Sequence, residues 1–381
     1  MKKYLDAEDI QLVLSGKNYF EVLENIINQS EKTLHLQTYI FETDETGLKI
    51  IDCLKNAAKR NVEVYVLSDA YGSFAFDSDV EQHLRKSGIH FRLYSPLFSS
   101  ESGFFGRRLH HKIVVADKRT ALVGGINIAN KYLLSGQEEA WLDYSVLVKG
   151  EVCEYLHLLC EATYARKRKR VLISWENKMQ SNNLRNSKLI RFRRNDFIKR
   201  KNEVHQGYVE NIRNAKTSII IVASYFLPGN NFRRLLRRAA ARGVKIKIIL
   251  AGKSDVDSVK LAQHYLYEFY LKHGIEIFEW QNSILHGKAM MVDNSWVTIG
   301  SYNLNFLSHY ISIELNAEIQ DRNFTSVFSS HIENILRKDC AHIQLDKFLK
   351  KLNYFNRIKI KLAYILHRSI MNIVMFGKNK K

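Results

Sequence analysis

Apolar positions recur along the chain in two matching sets. From Leu34 to Asp69 the chain reads LHLQTYIFETDETGLKIIDCLKNAAKRNVEVYVLSD, and from Ile220 to Asp255 it reads IIVASYFLPGNNFRRLLRRAAARGVKIKIILAGKSD. Each segment opens on an apolar run of strand length. Each then passes an aromatic pair (Tyr39 and Phe41 around Ile40, or Tyr225 next to Phe226) and a polar loop. An amphipathic helix follows, and a second apolar run, VEVYVL or VKIKIIL, closes the unit. Asn61 and Gly243 stand where a left-handed helix C-cap is expected. A further helix is predicted ahead of each unit, from Tyr19 to Gln29 and from His205 to Asn214. Strand–helix–strand units of this length join parallel strands by right-handed crossovers. The pattern predicts an α/β protein made of two duplicated α-β-α sandwich halves with mixed, largely parallel sheets.

The division expected from this repeat is a first half over residues 1–165 and a second over 203–330. A basic linker over 166–202 would join them, and a basic amphipathic helical tail would occupy 331–381. The linker contains RKRKR, from Arg166 to Arg170, and RFRRND, from Arg191 to Asp196. Such runs read either as a solvated linker or helix face, or as a rim that attracts an anionic substrate.

The chemistry sits just after each repeat. HHKIVVADKRTALVGGIN places His110, Lys112, Asp117, Gly124, Gly125 and Asn127 at offsets 0, 2, 7, 14, 15 and 17. HGKAMMVDNSWVTIGSYN places His286, Lys288, Asp293, Gly300, Ser301 and Asn303 at the same offsets. On a strand, residues two apart share a face, so each His and Lys point together. Asp117 and Asp293 stand at odd offsets where a strand gives way to a turn, and they read as turn-fixing. Gly124-Gly125 and Gly300-Ser301 read as turns that bring Asn127 and Asn303 near the His-Lys edge.

One such motif is half of a phosphodiester-exchange site. A neutral imidazole attacks phosphorus, a lysine and an amide hold the equatorial oxygens, and a second, protonated imidazole releases the alkoxide. Two copies facing each other supply the whole set. A histidine nucleophile also needs an orienting group on its other nitrogen. Each half carries one candidate carboxylate in an apolar run: Asp143, 33 residues after His110, and Glu314, 28 after His286. Glu318 competes in the second half. No metal ligand set is read among the cysteines and histidines, and no cofactor is expected for the reaction.

These motifs identify the chain as a member of the phospholipase D superfamily. The likeness extends from about Tyr19 to about Gln320. TYIFETDETG, LSDAYGS, LHHKIVVADKRTALVGGINIA, WLDYSV, YFLPGNNF and LHGKAMMVDNSWVTIGSYNLN resemble bacterial cardiolipin synthases of the shorter type, which lack two N-terminal membrane helices. The resemblance implies one active site at the interface of the halves and a phosphohistidine intermediate, with His110 as nucleophile and His286 as general acid. It implies transfer of a phosphatidyl group from phosphatidylglycerol to an acceptor alcohol, usually a second phosphatidylglycerol, with release of glycerol. A departure falls in NLNFLSHYISIELNAE. Asn305 stands where many members carry Asp, no Arg follows, and Ser312 takes the place of Asn. This bears on donor and acceptor specificity.

Composition then narrows the partners. The net charge of +19 favours anionic ones. In this reading they are an anionic phospholipid and a membrane surface. Nucleic acid is the partner under the alternative, a phosphodiesterase or nuclease of the same superfamily. No Asp or Glu follows Asp346, and the tail alternates basic and apolar residues, nearly apolar from Ser369 to Phe376. It reads as a helix on an anionic membrane surface or as a helix packed on the body. Relative to the second half, the first carries extra residues from Pro96 to Arg108. Phe98, Phe104 and Phe105 beside Arg107 and Arg108 read as a loop dipping into lipid or as a hydrophobic anchor. Acids at Asp6, Glu8 and Asp9 break the N-terminal apolar run, so no signal peptide is expected. No run reaches the length of a spanning helix. Cys53, Cys153, Cys160 and Cys340 lack metal spacing and read as free thiols. The expected location is the bacterial inner (cytoplasmic) membrane, peripheral on its cytoplasmic side.

Overall fold

The structure is a computed structural model that describes residues 4–74, 76, 78–95, 107–133, 139–165, 188–196, 199 and 201–376. Phe98, Phe104, Phe105, the RKRKR run and the side chains from 370 onward lie outside the described residues.

Both repeats fold as the pattern predicts. In the first, the strand Thr33–Thr38 leads to the helix Glu45–Lys59 and the parallel strand Glu63–Asp69. In the second, Ser218–Ala223 leads to Asn230–Ala241 and Lys245–Lys253. The two helices are released into their strands by left-handed residues, Asn61 at φ 66° and Gly243 at φ 90°. The Asp44 carboxylate caps the first helix by accepting from the Gly47 amide at 2.9 Å.

The sheets are mixed. They are not largely parallel as expected: parallel pairing joins each strand–helix–strand unit and its next strand, whereas the motif hairpins and the strands beyond them pair antiparallel and outnumber it. In the first sheet the order is Asp9–Leu14, Tyr144–Lys149, Thr120–Gly124, Ile113–Ala116, Thr33–Thr38, Glu63–Asp69, His90–Tyr94. The second sheet repeats that order as Leu189–Asp196, Ser312–Gln320, Trp296–Gly300, Lys288–Val292, Ser218–Ala223, Lys245–Lys253, Glu276–Ile284. It gains edge strands at Leu5–Asp6 and Cys340–Ile343.

This order corrects the expected boundary. Leu189–Asp196 is no linker but the counterpart of Asp9–Leu14, and it pairs along its length with Ser312–Gln320. Its arginines are buried, not solvated. Arg191 Nε lies 2.6 Å from Glu318, and Arg193 reaches Glu318 at 3.0 Å and Glu210 at 2.6 Å. Charge on alternate strand positions hid a core strand, because the neutralising Glu318 lies far away in sequence. That also removes Glu318 as an orienter of a histidine. The tail likewise starts later than 331, since Arg322–Lys338 is a core helix burying Phe324, Phe328, Ile332 and Ile335.

One apolar core runs through both halves. It holds Val115, Val123, Tyr144 and Val146 of the first sheet and Val222, Met291, Ile299 and Leu315 of the second. The helices Cys153–Tyr164 and Arg322–Lys338 contribute Leu156, Leu159, Phe328 and Ile332 to it. The outer face of each sheet has its own core under the repeat helices. Cys153 and Cys160 are buried, and all four cysteines are free.

The last helix, Tyr354–Phe376, packs on Asp257–Lys272 through Tyr364, which stacks on Tyr265 with ring centroids 4.4 Å apart. Its other face leaves Tyr354, Phe355, Ile358, Leu362, Ile365 and Leu366 exposed. Among the described residues no helix is long and apolar enough to cross a membrane.

Glu318 is 1% exposed between two arginines. Glu318→Gln strands their charges in the core and is expected to cost about 3–5 kcal/mol of stability. Urea unfolding checks this, and an unchanged midpoint would mean that the arginines are solvated after all.

Candidate active site

Each motif histidine stands where its own chain segment is laid along the other half. Arg108–Leu109 runs parallel to Ser312–Ile313, and the His110 amide donates to the Ile313 carbonyl at 3.0 Å. The next residue on that strand is Glu314. Correspondingly, Leu285 bridges Leu142 in parallel, and the His286 amide donates to the Leu142 carbonyl at 2.8 Å. The next residue there is Asp143.

The orienting pairs therefore cross. His110 Nδ1 lies 2.8 Å from Glu314 Oε2, and His286 Nδ1 lies 2.6 Å from Asp143 Oδ2. The sequence offered Asp143 in the first half and Glu314, ahead of Glu318, in the second, and the fold hands Asp143 and Glu314 each to the histidine of the other half. Both carboxylates are fully buried, and both histidines are at least nine-tenths buried.

His110 Nδ1 also lies 3.0 Å from the Ser301 carbonyl. Both its partners are acceptors, so Nδ1 must carry the proton and Nε2 is left with its lone pair. Ser301 further donates its hydroxyl to Glu314 Oε2 and accepts from the Leu315 amide at 3.0 Å. At the equivalent position a Cβ on Gly125 would come within 2.3 Å of Asp143 Oδ1. Glycine is therefore required where the carboxylate itself fills the space. Gly300 is held similarly, with Asn316 Oδ1 2.4 Å from its would-be Cβ, and Gly124 faces Ser145 Oγ at 2.1 Å.

His286 has a busier Nδ1. Besides Asp143, the Lys288 ammonium approaches it at 2.9 Å and the Tyr132 hydroxyl at 3.3 Å. Lys288 also donates to the His286 carbonyl, as Lys112 does to the His110 carbonyl at 3.0 Å. Asn127 is less free than expected of a phosphate donor. Its oxygen accepts from the Ile40 amide at 3.1 Å, and its Nδ2 donates to Tyr132 Oη at 2.8 Å. Asn303 Oδ1 accepts from Ser224 Oγ at 2.9 Å.

Burial dominates the electrostatics. It holds His110 below its ordinary range against the opposing pull of Glu314. It pushes His286 down to about 4, helped by Lys288. Lys112 falls to about 7, and Lys288 is lowered too. The two lysines and two histidines are thus matched to an incoming phosphodiester, whose negative charge would favour their protonated forms.

Asp117 and Asp293 lie away from this cluster. Each sits in a left-handed turn, at φ 52°, and accepts from a run of backbone amides. Those amides are Glu31, Lys32 and Thr33 for Asp117, and Lys216, Thr217 and Ser218 for Asp293. Arg107 and Arg108, beside the loop read as lipid-dipping or as a hydrophobic anchor, are tied inward. Arg107 pairs with Asp196 at 2.5 Å and Arg108 approaches Asp69 at 3.5 Å. Asn305 caps the short helix Phe306–Tyr310, accepting from the Ser308 amide at 3.0 Å.

Several site neighbours were not singled out from sequence. Tyr39 packs edge-on against His110 with ring centroids 4.8 Å apart. Tyr132 and Trp141 flank His286. Buried Asp69 accepts from the Leu109 amide at 2.8 Å, fixing the chain just before His110. The repeat carried a signal for two of these, since Tyr39 and Asp69 align with Tyr225 and Asp255, themselves joined at 2.6 Å.

Comparison with known proteins places the chain in a family. The family model described as "Cardiolipin synthase, PLD-like domain" matches residues 23–157 and 208–336. The chain belongs to this phospholipase D-like family. It is 32% identical over 363 residues to cardiolipin synthase B of Escherichia coli O6:H1, covering 94% of this chain and 87% of that protein. It is 28% identical to a cardiolipin synthase of Clostridium perfringens strain SM101, covering 91% and 74%. Among solved structures, phosphatidylserine synthase of Haemophilus influenzae superposes with a TM-score of 0.74 at 16% identity, covering 98% of this chain and 96% of that one. The phospholipase D-like duplicated fold is thus shared where little sequence is.

If the crossed pairs orient the histidines, Asp143→Asn and Glu314→Gln should each lower turnover on the order of 10²–10⁴-fold. They should differ on a diester with a good leaving group. Glu314→Gln should suppress the first burst of product, and Asp143→Asn should leave it in place. Pre-steady-state kinetics reads the difference, and the opposite pattern would reverse the pairing's roles.

Proposed function

We propose that the protein makes cardiolipin by phosphatidyl transfer through a phosphohistidine on His110. It is a phosphatidyltransferase acting on phospholipid. The observation that carries the reading is the single buried cluster His110–Glu314 and His286–Asp143, with one lysine beside each histidine.

In the first step, the His110 Nε2 lone pair attacks phosphorus of one phosphatidylglycerol. The bond to the headgroup glycerol breaks as His286 gives that oxygen its proton. Glycerol leaves, and a phosphatidyl group stays on His110. In the second step, His286 takes the proton from a hydroxyl of another phosphatidylglycerol, whose oxygen attacks phosphorus and frees His110. The tautomer supports the assignment. His110 has only acceptors at Nδ1, which leaves Nε2 nucleophilic, whereas His286 sits between a carboxylate and an ammonium, a setting that suits a proton carrier. Lys112, Lys288, Asn127 and Asn303 would hold the equatorial oxygens, Lys112 and Lys288 foremost.

Incubation with phosphatidylglycerol vesicles should give cardiolipin and free glycerol by mass spectrometry, and acid-free denaturation during turnover should trap the phosphatidyl group on His110. His110→Ala should yield neither product nor adduct. An adduct found only on His286 would exchange the roles, and no lipid product would defeat the reading in favour of another phosphodiester.

The membrane surface is part of the proposal. The exposed face of Tyr354–Phe376 carries Phe355, Ile358, Leu362 and Leu366, with Arg357, Lys359, Lys361 and Arg368 on the same helix. This face favours lipid over nucleic acid as the partner. It supports peripheral binding to the anionic cytoplasmic leaflet of the bacterial inner membrane, where each basic residue contributes about 1 kcal/mol. Removing residues 354–381 should weaken binding to anionic vesicles far more than it slows turnover of a water-soluble diester. Sedimentation with vesicles at low salt checks this, and equal binding would make the helix a packing element only.

A further inference from the structure

On the face of the first sheet away from the repeat helices, strand Thr33–Thr38 meets the helix Cys153–Tyr164. Gln37 Nε2 donates to the Cys160 carbonyl at 2.9 Å, which fixes the register of the contact. Two residues earlier on the same strand face, His35 stands against His157 with ring centroids 4.7 Å apart. His157 and Glu161 are one helical turn apart and face each other at 3.5 Å. The candidate ligand atoms of His35, His157 and Glu161 all lie within 4.8 Å of one another.

The imidazoles are only 2% and 3% exposed. His35 Nε2 and His157 Nδ1 have no hydrogen-bond partner among the described residues. A buried polar atom left unpaired costs about 1–3 kcal/mol, and two in one contact call for a bound group. A bridging water can donate to two ring nitrogens but then has no proton left for the carboxylate. A cation takes one lone pair from each imidazole and one from the carboxylate together. Glu161 is exposed and gives an entry path from solvent. Tyr65 stacks on His35 at 4.9 Å and holds that ring in place. Lys118 and Glu154 are the other charges felt by His157, and they oppose each other.

We propose that His35, His157 and Glu161 form a divalent-metal site, fitted to zinc, that fastens the helix Cys153–Tyr164 to the first sheet. Two imidazoles and one carboxylate are a zinc donor set, with a water in the fourth position. The site lies four residues up the strand from Tyr39, about 13 Å at strand spacing, and takes no part in phosphate transfer. Its role is to anchor the last helix of the first half, whose inner face belongs to the core shared by both sheets.

The full-length protein, stripped by chelator and dialysed, is titrated with zinc by calorimetry. One equivalent should bind and raise the melting temperature. Glu161→Gln should weaken binding about tenfold or more, and His35→Ala with His157→Ala should abolish it. Because the active-site histidines are themselves possible zinc ligands, His110→Ala with His286→Ala is the control and should keep the full equivalent. Loss of zinc in that control, or retention in the His35/His157 variant, overturns the proposal, as does the lack of saturable binding. Should the double variant fail to fold, hydrogen exchange of the unaltered chain decides. Zinc should slow exchange over residues 33–38 and 153–164, and protection confined to other segments would overturn the site.

Discussion

The crossed imidazole–carboxylate contacts are the constraint around which the molecule is arranged. Glu314 can reach His110 only because Arg108–Leu109 leaves the first half and lies along a strand of the second sheet. Asp143 can reach His286 only because Leu142 and Leu285 bridge the halves in the reciprocal sense. Neither half has an oriented histidine by itself. The duplication is therefore not two sites in tandem but two incomplete ones, each finished by the other. The shared core between the sheets follows from this, since residues at the seam must be held within tenths of an ångström for the nitrogen geometry to be kept.

Such a cluster is costly to bury. Two histidines, two lysines and two carboxylates are withdrawn from water in one place. The lowered affinities of His110, His286, Lys112 and Lys288 for protons record that cost. Nothing in packing alone would favour it over apolar residues of the same volume. An anionic phosphodiester would favour the protonated forms of these lysines and histidines, so the arrangement is more nearly satisfied when substrate is present than when it is absent. Natural folds keep local conflicts of this sort where function requires them. In the adjoining strands Glu318 and Glu210 neutralise Arg191 and Arg193, and no such imbalance arises between these four.

The proposed membrane contact and the proposed chemistry lie on different parts of the chain. The site is assembled from the ends of sheet strands at the seam. The exposed apolar face lies on the terminal helix, which rests on the outer helix Asp257–Lys272 of the second half. Tyr364 and Tyr265 fix one side of that helix to the body, and the opposite side is left open. A helix so placed would meet a membrane without disturbing the seam.

Local pattern sufficed wherever the signal was periodic or repeated. The strand–helix–strand units, the left-handed caps at Asn61 and Gly243, and the His-Lys pairs on one strand face depend on neighbours a few residues away. The turn-fixing place of Asp117 and Asp293 follows from the same parity argument, because side-chain direction alternates along a strand. What the sequence could not contain is pairing across long separations. Leu189–Asp196 looked like a solvated basic run because its counter-charge, Glu318, arrives from a strand more than a hundred residues later. Asp143 and Glu314 were visible as candidates, yet which histidine each serves depends on the segments that cross the seam. His35 and His157 carry no motif and meet only through the packing of a helix on a sheet. Sequence determines which groups are available and which way they face locally. Tertiary structure decides which of them meet, because the strand register and the seam between halves fix distances that no single segment encodes.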